Sequence, residues 1–391
     1  MRGGNTGTMV AGKITVIQMV PEMESGGVES VTLETAAFLA RQGHRSMVIS
    51  AGGAMAAALE RDGSRHLTWP HIGEKSPRCL KYILPLRRLL IENQVDILHL
   101  RSRVPAWIGF LAWKSLKGRG STRLVTTFHG FYSVNAYSRI MTRGEKVIAI
   151  SDTIARHIQE AYPVESGRIE IIHEGIDMER FSPDAVGKER VEILRQQWGL
   201  AESNQTVIML PARVTRLKGH DLFIKALAPI RHLNWHALCV GAWDRQSPYY
   251  DELTALVRKT GLENRITFTG ECDDMPAAYR VADIVVSASR HPESFGRIAV
   301  EAQAMGRQVI ATAHGGSMET VGDSPLGILV PPGREADLTR ALAHAMERMP
   351  LEKTRIDGAR AFVVERFSLD RMCRDTLDLY HRMAKLDKAG A

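Results

Sequence analysis

The chain has 391 residues, of which 44% are hydrophobic and 24% charged, and its formal net charge is +7. This length suits two domains of ordinary size, and the composition is that of a globular protein with a sizeable core. Disordered and fibrous classes are therefore excluded, and the sequence contains neither an internal repeat at a fixed short period nor an extended low-complexity tract.

In the first half of the chain, short apolar runs alternate with longer amphipathic stretches. Strands are predicted at 13–20, 45–50, 96–100, 123–128, 146–150 and 169–173. Helices are predicted at 28–42 and 152–162. Strands separated by helices need crossover connections, so the pattern predicts a parallel sheet.

A polar stretch at 182–188 interrupts the alternation, which then restarts. The second set of predicted strands lies at 206–210, 237–241, 265–269, 283–288, 308–311 and 327–330. We therefore predict an α/β protein with two Rossmann-like, doubly wound parallel-sheet domains that face a cleft. The first domain is placed at 1–182 and the second at 183–365. Helices are predicted at 351–365 and 368–385, and we expect the C-terminal segment 366–391 to join the first domain.

Cysteine usage and the N-terminal residues indicate the compartment. The four cysteines are scattered and form no C-x-x-C pair, which disfavours a thiolate metal cluster and favours a reducing environment. The N-terminus lacks the apolar core of a secretory signal, and no stretch reaches the roughly 18 apolar residues of a spanning helix. We expect a cytoplasmic protein, with any membrane contact peripheral on the inner face of the cytoplasmic membrane.

Positive charge is concentrated between residues 75 and 123, where only Glu92 and Asp96 oppose it. The basic residues there are Lys75, Arg78, Lys81, Arg87, Arg88, Arg101, Arg103, Lys114, Lys117, Arg119 and Arg123. Such a field attracts anionic lipid, nucleic acid or a phosphorylated acceptor, and charge does not choose among them. Within it, 78–91 mixes basic and apolar residues at helical spacing. This segment is either a helix on an anionic membrane surface or an ordinary helix whose leucines enter the core.

The segment 290–301 follows a predicted strand and opens a helix near Gly296. The N–H groups and the dipole at a helix start favour an anion such as phosphate, and Gly296 lets the backbone approach a ligand closely. Glu293 precedes this helix and Glu301 lies within it. The two carboxylates can thus reach different ends of one ligand. The alternative is that Glu293 is a helix-start acid and Glu301 a solvated surface group.

A second candidate segment is 211–219, directly after the predicted strand 206–210. Arg213, Arg216 and Lys218 place cations at the carboxyl end of that strand, where they can clamp a diphosphate and offset charge on a departing nucleoside diphosphate. The alternative is a solvated basic loop.

Two weaker signals lie in the first half. Gly26 and Gly27 follow the first strand and permit a close approach to a ligand, but they do not form the G-x-G-x-x-G fingerprint of dinucleotide binding. His129 lies just beyond the strand 123–128, where it can bind a sugar hydroxyl or assist proton transfer. A histidine beside aromatic residues is also commonly structural.

Together these segments resemble the retaining nucleotide-sugar glycosyltransferases of GT-B architecture, the large family four (glycosyl transferases group 1). The resemblance runs from Ile14 to about Arg366. Its motifs are Glu293-x₇-Glu301, Arg213-x₄-Lys218-Gly219, Gly26-Gly27-Val28-Glu29, Ile150-Ser151-Asp152, Ile171-Ile172-His173-Glu174-Gly175-Ile176-Asp177, Arg180-Phe181-Ser182-Pro183, Gly315-Gly316-Ser317-Met318-Glu319 and Gly327-Ile328-Leu329-Val330-Pro331.

The resemblance implies a role for each candidate residue. Arg213 and Lys218 would hold the donor diphosphate and stabilise the leaving group, Glu301 would bind the ribose hydroxyls, and Glu293 would contact the transferred sugar near its 3-hydroxyl. Backbone amides would come from Phe295 and Gly296, the diphosphate would be bordered by Gly26 and Gly27, and the sugar's reacting face would lie near His129. The implied catalytic residues are His129, Arg213, Lys218 and Glu293. The implied donor-binding residues are Gly26, Gly27, Arg213, Lys218, Phe295, Gly296 and Glu301.

The resemblance also implies the reaction and its participants. A hexosyl group would pass from a UDP-, GDP- or ADP-sugar to a glycan or lipid-linked acceptor, such as a lipopolysaccharide or polysaccharide precursor of the cell envelope. The leaving phosphate would accept the acceptor's proton in a front-face attack, without cofactor or metal. No D-x-D motif is present, and Asp273-Asp274 is better interpreted as a helix cap. We expect an anionic membrane surface as a further partner and no nucleic acid.

Two other function classes remain open. A nucleotide-sugar 2-epimerase or a phosphorylase can use the same architecture. A non-catalytic basic binding protein is less favoured, because the glutamate pair and the basic clamp are both present. One departure from the family pattern stands out: where the family often has His-Asn-Gly-Ile-Asp, this chain has Glu174 after His173. It leaves ligand contacts near this position in doubt.

Overall fold

A computed structural model describes residues 12–385, except 25, 117, 119, 120, 201–203 and 245–246. The described residues form two compact units. The first contains residues up to 150, 154–172 and those from 372 onward, and the second contains 151–153 and 173–371. Predictions made for residues 1–11, Lys117, Arg119 and 386–391 lie outside the described residues.

Strands and helices alternate along the whole chain. The first half contains β1 (Thr15–Met19), α1 (Gly27–Arg41), β2 (Arg45–Ser50), α2 (Ala56–Arg61), β3 (Arg65–Thr68), α3 (Ile83–Glu92), β4 (Ile97–Leu100), α4 (Arg103–Lys114), β5 (Arg123–Phe128), β6 (Lys146–Ala149), α5 (Asp152–Ala161) and β7 (Ile169–Ile171). The second half contains α6 (Lys188–Gln197), β8 (Thr206–Pro211), α7 (His220–Leu227), β9 (Trp235–Val240), α8 (Pro248–Thr260), β10 (Ile266–Gly270), α9 (Met275–Val281), β11 (Ile284–Ser287), α10 (Arg297–Ala304), β12 (Gln308–Thr312), α11 (Ser317–Val321), β13 (Gly327–Val330), α12 (Glu335–Glu347), α13 (Lys353–Phe367) and α14 (Leu369–Lys385).

The first unit contains a seven-stranded parallel sheet in the order β3-β2-β1-β4-β5-β6-β7. The central strand β4 is buried along its whole length, as expected for a sheet covered by helices on both faces. Six of the seven strands were predicted. β3 was missed because it is a four-residue edge strand whose side chains are exposed or half-buried.

Helix α14 packs into the first unit through a buried polar contact. The Tyr380 hydroxyl lies 2.6 Å from Nδ1 of His99, whose Nε2 lies 2.6 Å from the Thr127 hydroxyl. Burial, with Arg101 and His129 nearby, lowers the pKa of His99 well below its usual range. The histidine is therefore neutral and links β4, β5 and α14.

The second unit contains a six-stranded parallel sheet in the order β10-β9-β8-β11-β12-β13, and all six strands were predicted. Its core includes the fully buried Phe223, Trp235 and Leu342. β8 pairs with β9 on one side and β11 on the other, so the strand order reverses between β8 and β11. In doubly wound sheets, ligands bind at the carboxyl ends of the strands at such a point.

Helix α3 shows features of both interpretations offered for 78–91. Leu86 and Leu90 are buried, as in an ordinary core-facing helix, whereas Leu84 is 73% exposed. Leu80, just before the helix, is 51% exposed. Among the helices that the structure describes, none has both the length and the apolar character needed to cross a bilayer.

Candidate active site

Two loops meet at the carboxyl edge of the second sheet, next to the point where its strand order reverses. One follows β8 and ends at Gly219, and the other follows β11. Gly219 has a φ of +70°, and a Cβ at this position would lie 2.0 Å from the carbonyl oxygen of Ala288. The Arg290 amide donates to the Leu217 carbonyl over 2.8 Å. Only glycine permits this close backbone approach, which brings the two predicted segments together.

Lys218 and Glu293 pair across these loops. Nζ of Lys218 lies 2.6 Å from Oε1 of Glu293, and the Ser289 hydroxyl donates to the same oxygen. The two side chains are 28% and 20% exposed, so the pair is partly shielded from water. Arg213 lies on the same loop as Lys218, is exposed, and makes no ion pair with any residue of the described ranges. The cluster thus combines a paired cation, a carboxylate and an exposed guanidinium.

The Glu293 loop rests on two glycines that the sequence analysis matched to the family without giving them a role. The Gly316 amide donates to the Glu293 carbonyl over 2.7 Å. A Cβ at Gly316 would lie 2.2 Å from the Phe295 carbonyl oxygen, and one at Gly315 would lie 2.5 Å from that of Glu293. A side chain at either glycine would therefore displace the loop that carries Glu293.

Phe295 and Gly296 lead into α10. The Phe295 ring is buried against Phe367 and His173, so only its backbone can face a ligand. Gly296 has a φ of +101° and directly precedes the first residue of the helix. The first amides of a helix have no partner within it, and they point toward an incoming anion. The backbone role that the resemblance implied for Phe295 and Gly296 stays a prediction.

Glu301 is not a solvated surface group. Its side chain is 13% exposed, accepts a 2.9 Å hydrogen bond from the Tyr279 hydroxyl and lies 3.5 Å from Nε of Arg297. Burial raises the pKa of Glu301, whereas Arg297 and the Tyr279 hydroxyl oppose that rise. Sequence reasoning missed Tyr279 and Arg297. Only the spacing of Arg297, four residues before Glu301 on one helix, could have indicated a contact.

A second polar cluster explains three further family motifs. Glu319 on α11 accepts 2.8 Å hydrogen bonds from the amides of Asp152 and Thr153, and its carboxylate lies 3.2 Å from Nε2 of His173. Burial alone would raise the pKa of Glu319, but the hydrogen bonds from His173 and the two amides lower it. Asp152, His173 and Glu319 carry ligand atoms within 4.8 Å of one another, a spacing that could hold a divalent cation. Hydrogen bonding and helix capping already account for their arrangement.

Three predicted site residues lie in the first unit. Gly26 is the N-cap of α1 with an extended backbone, and Gly27 begins the helix. A Cβ at Gly27 would meet no described atom within 4 Å, so chain packing does not require glycine there. His129 follows β5 and is half-buried. The other six predicted residues, Arg213, Lys218, Glu293, Phe295, Gly296 and Glu301, gather at one edge of the second sheet.

The interpretation of Asp273-Asp274 as a helix cap is confirmed. The Asp274 carboxylate accepts a 3.1 Å hydrogen bond from the Ala277 amide at the start of α9. It also forms a two-pronged ion pair with Arg190, at 2.6 and 2.7 Å. This local role leaves little of the carboxylate for other ligands.

Comparison with known proteins identifies the family. The model of Glycosyltransferase Family 4 matches residues 25–180, and that of Glycosyl transferases group 1 matches residues 191–362. D-inositol 3-phosphate glycosyltransferase of Salinispora arenicola is 30% identical over 314 residues, which cover 73% of this chain and 68% of that enzyme. The chain thus spans about two thirds of the length of this curated relative.

Solved structures share the architecture over nearly their whole length. A glycosyltransferase from Rickettsia africae ESF-5 is 32% identical, with a TM-score of 0.87 over 95% of this chain and 99% of that one. Anabaena Alr3699/HepE in complex with UDP is 25% identical, with a TM-score of 0.77 over 94% and 99%. The predicted fold class is confirmed, and the chain belongs to the family-four, group 1 glycosyltransferases, with the two Rossmann-like domains of GT-B architecture.

Proposed function

We propose that this glycosyltransferase moves a hexosyl group from a nucleoside-diphosphate sugar to an acceptor, with retention of the anomeric configuration. The observation that carries the proposal is the cluster at the edge of the second sheet. There the Lys218–Glu293 pair lies beside the start of α10, and Glu301 lies one turn into that helix. Cations for a diphosphate and acceptors for sugar and ribose hydroxyls thus occur in one place.

The donor would be a UDP-, GDP- or ADP-sugar. Arg213, Lys218 and the first amides of α10 supply positive charge for the diphosphate. Glu301, held by Tyr279, supplies a carboxylate that can accept both ribose hydroxyls. The UDP complex of Anabaena Alr3699/HepE, 25% identical to this chain, makes UDP the first nucleotide to test.

Retention fits the way Glu293 is held. Oε1 of Glu293 is already engaged by Lys218 and Ser289, which lowers its nucleophilicity and suits it to accept a hydroxyl of the transferred sugar. In the proposed step, the acceptor oxygen bonds to the anomeric carbon on the face that the diphosphate leaves. The acceptor's proton passes to the departing phosphate oxygen. Lys218 and Arg213 offset the charge that develops there, so positioning and charge stabilisation supply the catalysis.

The proposed acceptor is a glycolipid, lipopolysaccharide or polysaccharide precursor of the cell envelope. Basic groups of the first unit lie over aromatic rings: Lys75 is 5.0 Å from the ring centre of Tyr137, and Arg103 is 4.9 Å from that of Tyr132. Such pairs suit a glycan that carries negative charge, because the ring contacts the sugar and the cation its anionic group. The name of the Salinispora arenicola relative adds inositol 3-phosphate to the acceptors to test.

We further propose peripheral binding to the inner face of the cytoplasmic membrane. Leu80 and Leu84 are exposed beside the exposed cations of Lys81 and Arg88, a combination that favours an anionic lipid surface. All four cysteines are free, which supports a reducing compartment. Cosedimentation with phosphatidylglycerol vesicles should fall in the Leu80→Ser/Leu84→Ser variant. It should not change in Ile193→Ser, whose side chain is exposed on α6 of the second unit. Binding that is independent of anionic lipid would overturn this part of the proposal.

The proposed activity is tested by two linked assays. UDP-, GDP- and ADP-sugars are screened for thermal stabilisation of the full chain, and each stabilising donor is then offered with a panel of glycan, lipid-linked and phosphorylated polyol acceptors. We expect one nucleotide class to stabilise the protein and to support transfer. Conversion of the donor without any acceptor would indicate an epimerase, and the absence of both stabilisation and transfer would contradict the proposal.

A further inference from the structure

Glu174 places a carboxylate where the family often has asparagine, and the structure buries it. Its side chain is 9% exposed and its Oε2 lies 4.0 Å from Nη1 of Arg297. The same guanidinium nitrogen approaches the Gly175 carbonyl at 3.5 Å. Burying a carboxylate is costly unless a cation compensates it, and Arg297 provides that cation.

Arg297 also serves a second carboxylate. Its Nε lies 3.5 Å from Oε1 of Glu301, one turn further along α10. One guanidinium, 28% exposed, thus lies between two largely buried carboxylates. Because both carboxylates contact the same guanidinium, the negative charge of Glu174 partly offsets the attraction that Arg297 exerts on Glu301.

We propose that Arg297 and Glu174 are positioning residues for the donor. Arg297 keeps Glu301 ionised and oriented, and Glu174 sets how strongly Arg297 acts on it. The inference rests on the proposed role of Glu301 in binding the ribose of the donor. Glu174 then adjusts nucleotide affinity indirectly, by acting on Arg297, which does not itself contact the nucleotide.

The groups that face Glu301 fix the expected direction of the pH dependence. They are Tyr279 on α9, Arg180 in the segment between β7 and α6, and Arg297 on its own helix, with Glu174 behind Arg297. Burial raises the pKa of Glu301, and Arg297, Tyr279 and Arg180 lower it. The ionised carboxylate is the better acceptor for ribose hydroxyls, so nucleotide affinity falls as the pH drops through this pKa.

The two variants should therefore shift the pH profile in opposite directions. Arg297→Gln removes the cation, raises the pKa of Glu301 and moves the loss of affinity to higher pH. Glu174→Gln removes the second carboxylate that Arg297 contacts, lowers the pKa of Glu301 and moves the loss to lower pH. A displacement of one pKa unit changes affinity about tenfold on the acidic side of the profile. Arg297→Lys keeps the charge without the planar fork and should give a smaller shift than Arg297→Gln.

The experiment is calorimetric titration of UDP, GDP and ADP into the full chain at a series of acidic to neutral pH values. Asp323→Asn, which removes an exposed partner of Arg366, is the matched control and should leave the profile unchanged. Shifts of the Arg297→Gln and Glu174→Gln profiles in one direction, or no shift in either, would overturn the proposal.

A second readout separates this inference from the proposed function. Carbon-13 NMR of labelled glutamate carboxyl groups follows the titration of Glu301 in the ligand-free protein. If no nucleoside diphosphate binds the wild type, the proposed function fails, yet the opposite pKa shifts of Glu301 in the two variants can still be measured. Unchanged Glu301 titration in both variants contradicts the positioning role, whatever the nucleotide data show.

Discussion

Lys218 and Glu293 lie 75 residues apart in the sequence, yet Nζ and Oε1 are separated by 2.6 Å. Each residue follows a strand that borders the point where the order of the second sheet reverses. Folding of that sheet therefore brings the two side chains together. A carboxylate and a cation are thus in place before a donor would bind. Preorganised charge of this kind needs no rearrangement during the reaction.

Replacement of Lys218 tests the leaving-group role. Lys218→Ala removes the cation that would offset the charge developing on the nucleoside diphosphate, and we expect turnover to fall about 10²- to 10³-fold. Lys225→Ala is the control, because Lys225 pairs with Asp221 on the exposed side of α7. Steady-state kinetics and thermal unfolding of both variants check the prediction. Turnover in Lys218→Ala equal to that of Lys225→Ala would remove Lys218 from the mechanism.

Tyr279 tests the role of Glu301 without altering the carboxylate. Tyr279→Phe keeps the buried ring and removes the hydroxyl that donates to Glu301 over 2.9 Å. Loss of one hydrogen bond to a charged group costs about 1.5–3 kcal/mol, so donor affinity should fall about tenfold or more. Calorimetric titration of the donor measures this loss. Tyr250→Phe, in a half-buried ring pair with Trp243 in the same unit, should bind the donor like the wild type.

The same substitution at two glycines should affect the unfolding temperature differently. Gly27→Ala places a methyl group where no described atom lies within 4 Å, whereas Gly316→Ala places one 2.2 Å from the Phe295 carbonyl oxygen. We expect Gly27→Ala to keep the wild-type unfolding temperature and to lose activity if this position borders the donor. Gly316→Ala should unfold at lower temperature, as overpacking typically costs about 1–3 kcal/mol. A fully active Gly27→Ala enzyme would exclude Gly27 from the site.

His220 should make the stability of the second unit depend on pH. It begins α7 directly after Gly219, and burial lowers its pKa from 6.5 to about 4. The unfolded chain therefore binds a proton that the folded chain excludes, and the stability that the neutral histidine provides is lost as the pH falls from 6.5 toward about 4.

Urea unfolding of the wild type and of His220→Gln checks this behaviour. The wild type should be the more stable at neutral pH, and the difference in unfolding free energy should shrink as the pH is lowered below 6.5. The other histidines are common to both proteins and cancel in the difference. A difference that is constant over this range would show that His220 does not stay neutral in the folded state.

Sequence patterns predicted the features that depend on residues close together in the chain. The strands of the second sheet are apolar runs long enough to be recognised, whereas β3 is a four-residue edge strand whose side chains are exposed or half-buried. The cap formed by Asp274 depends on residues three positions apart. By contrast, the contact of Tyr279 with Glu301 joins two helices, and the capping of Asp152 by Glu319 joins residues 167 apart. Such contacts depend on packing that no local pattern encodes.

The candidate site could likewise be predicted from the sequence only in part. The loops after β8 and β11 could be placed at one sheet edge from topology alone. Whether Glu301 is solvated or buried could not be predicted, because its burial depends on contacts with other elements, such as that with Tyr279, 22 residues earlier in the sequence. The buried position of Glu174 and its shared use of Arg297 required the three-dimensional structure for the same reason.

The central claim, retaining transfer from a nucleotide sugar, is tested most directly by proton NMR of the first glycoside formed from a donor of known anomeric configuration. We expect the wild type to form a product with the donor's configuration, and we expect both Lys218→Ala and Glu301→Ala to lose this product. A product of inverted configuration, or one formed at the wild-type rate by both variants, would contradict it.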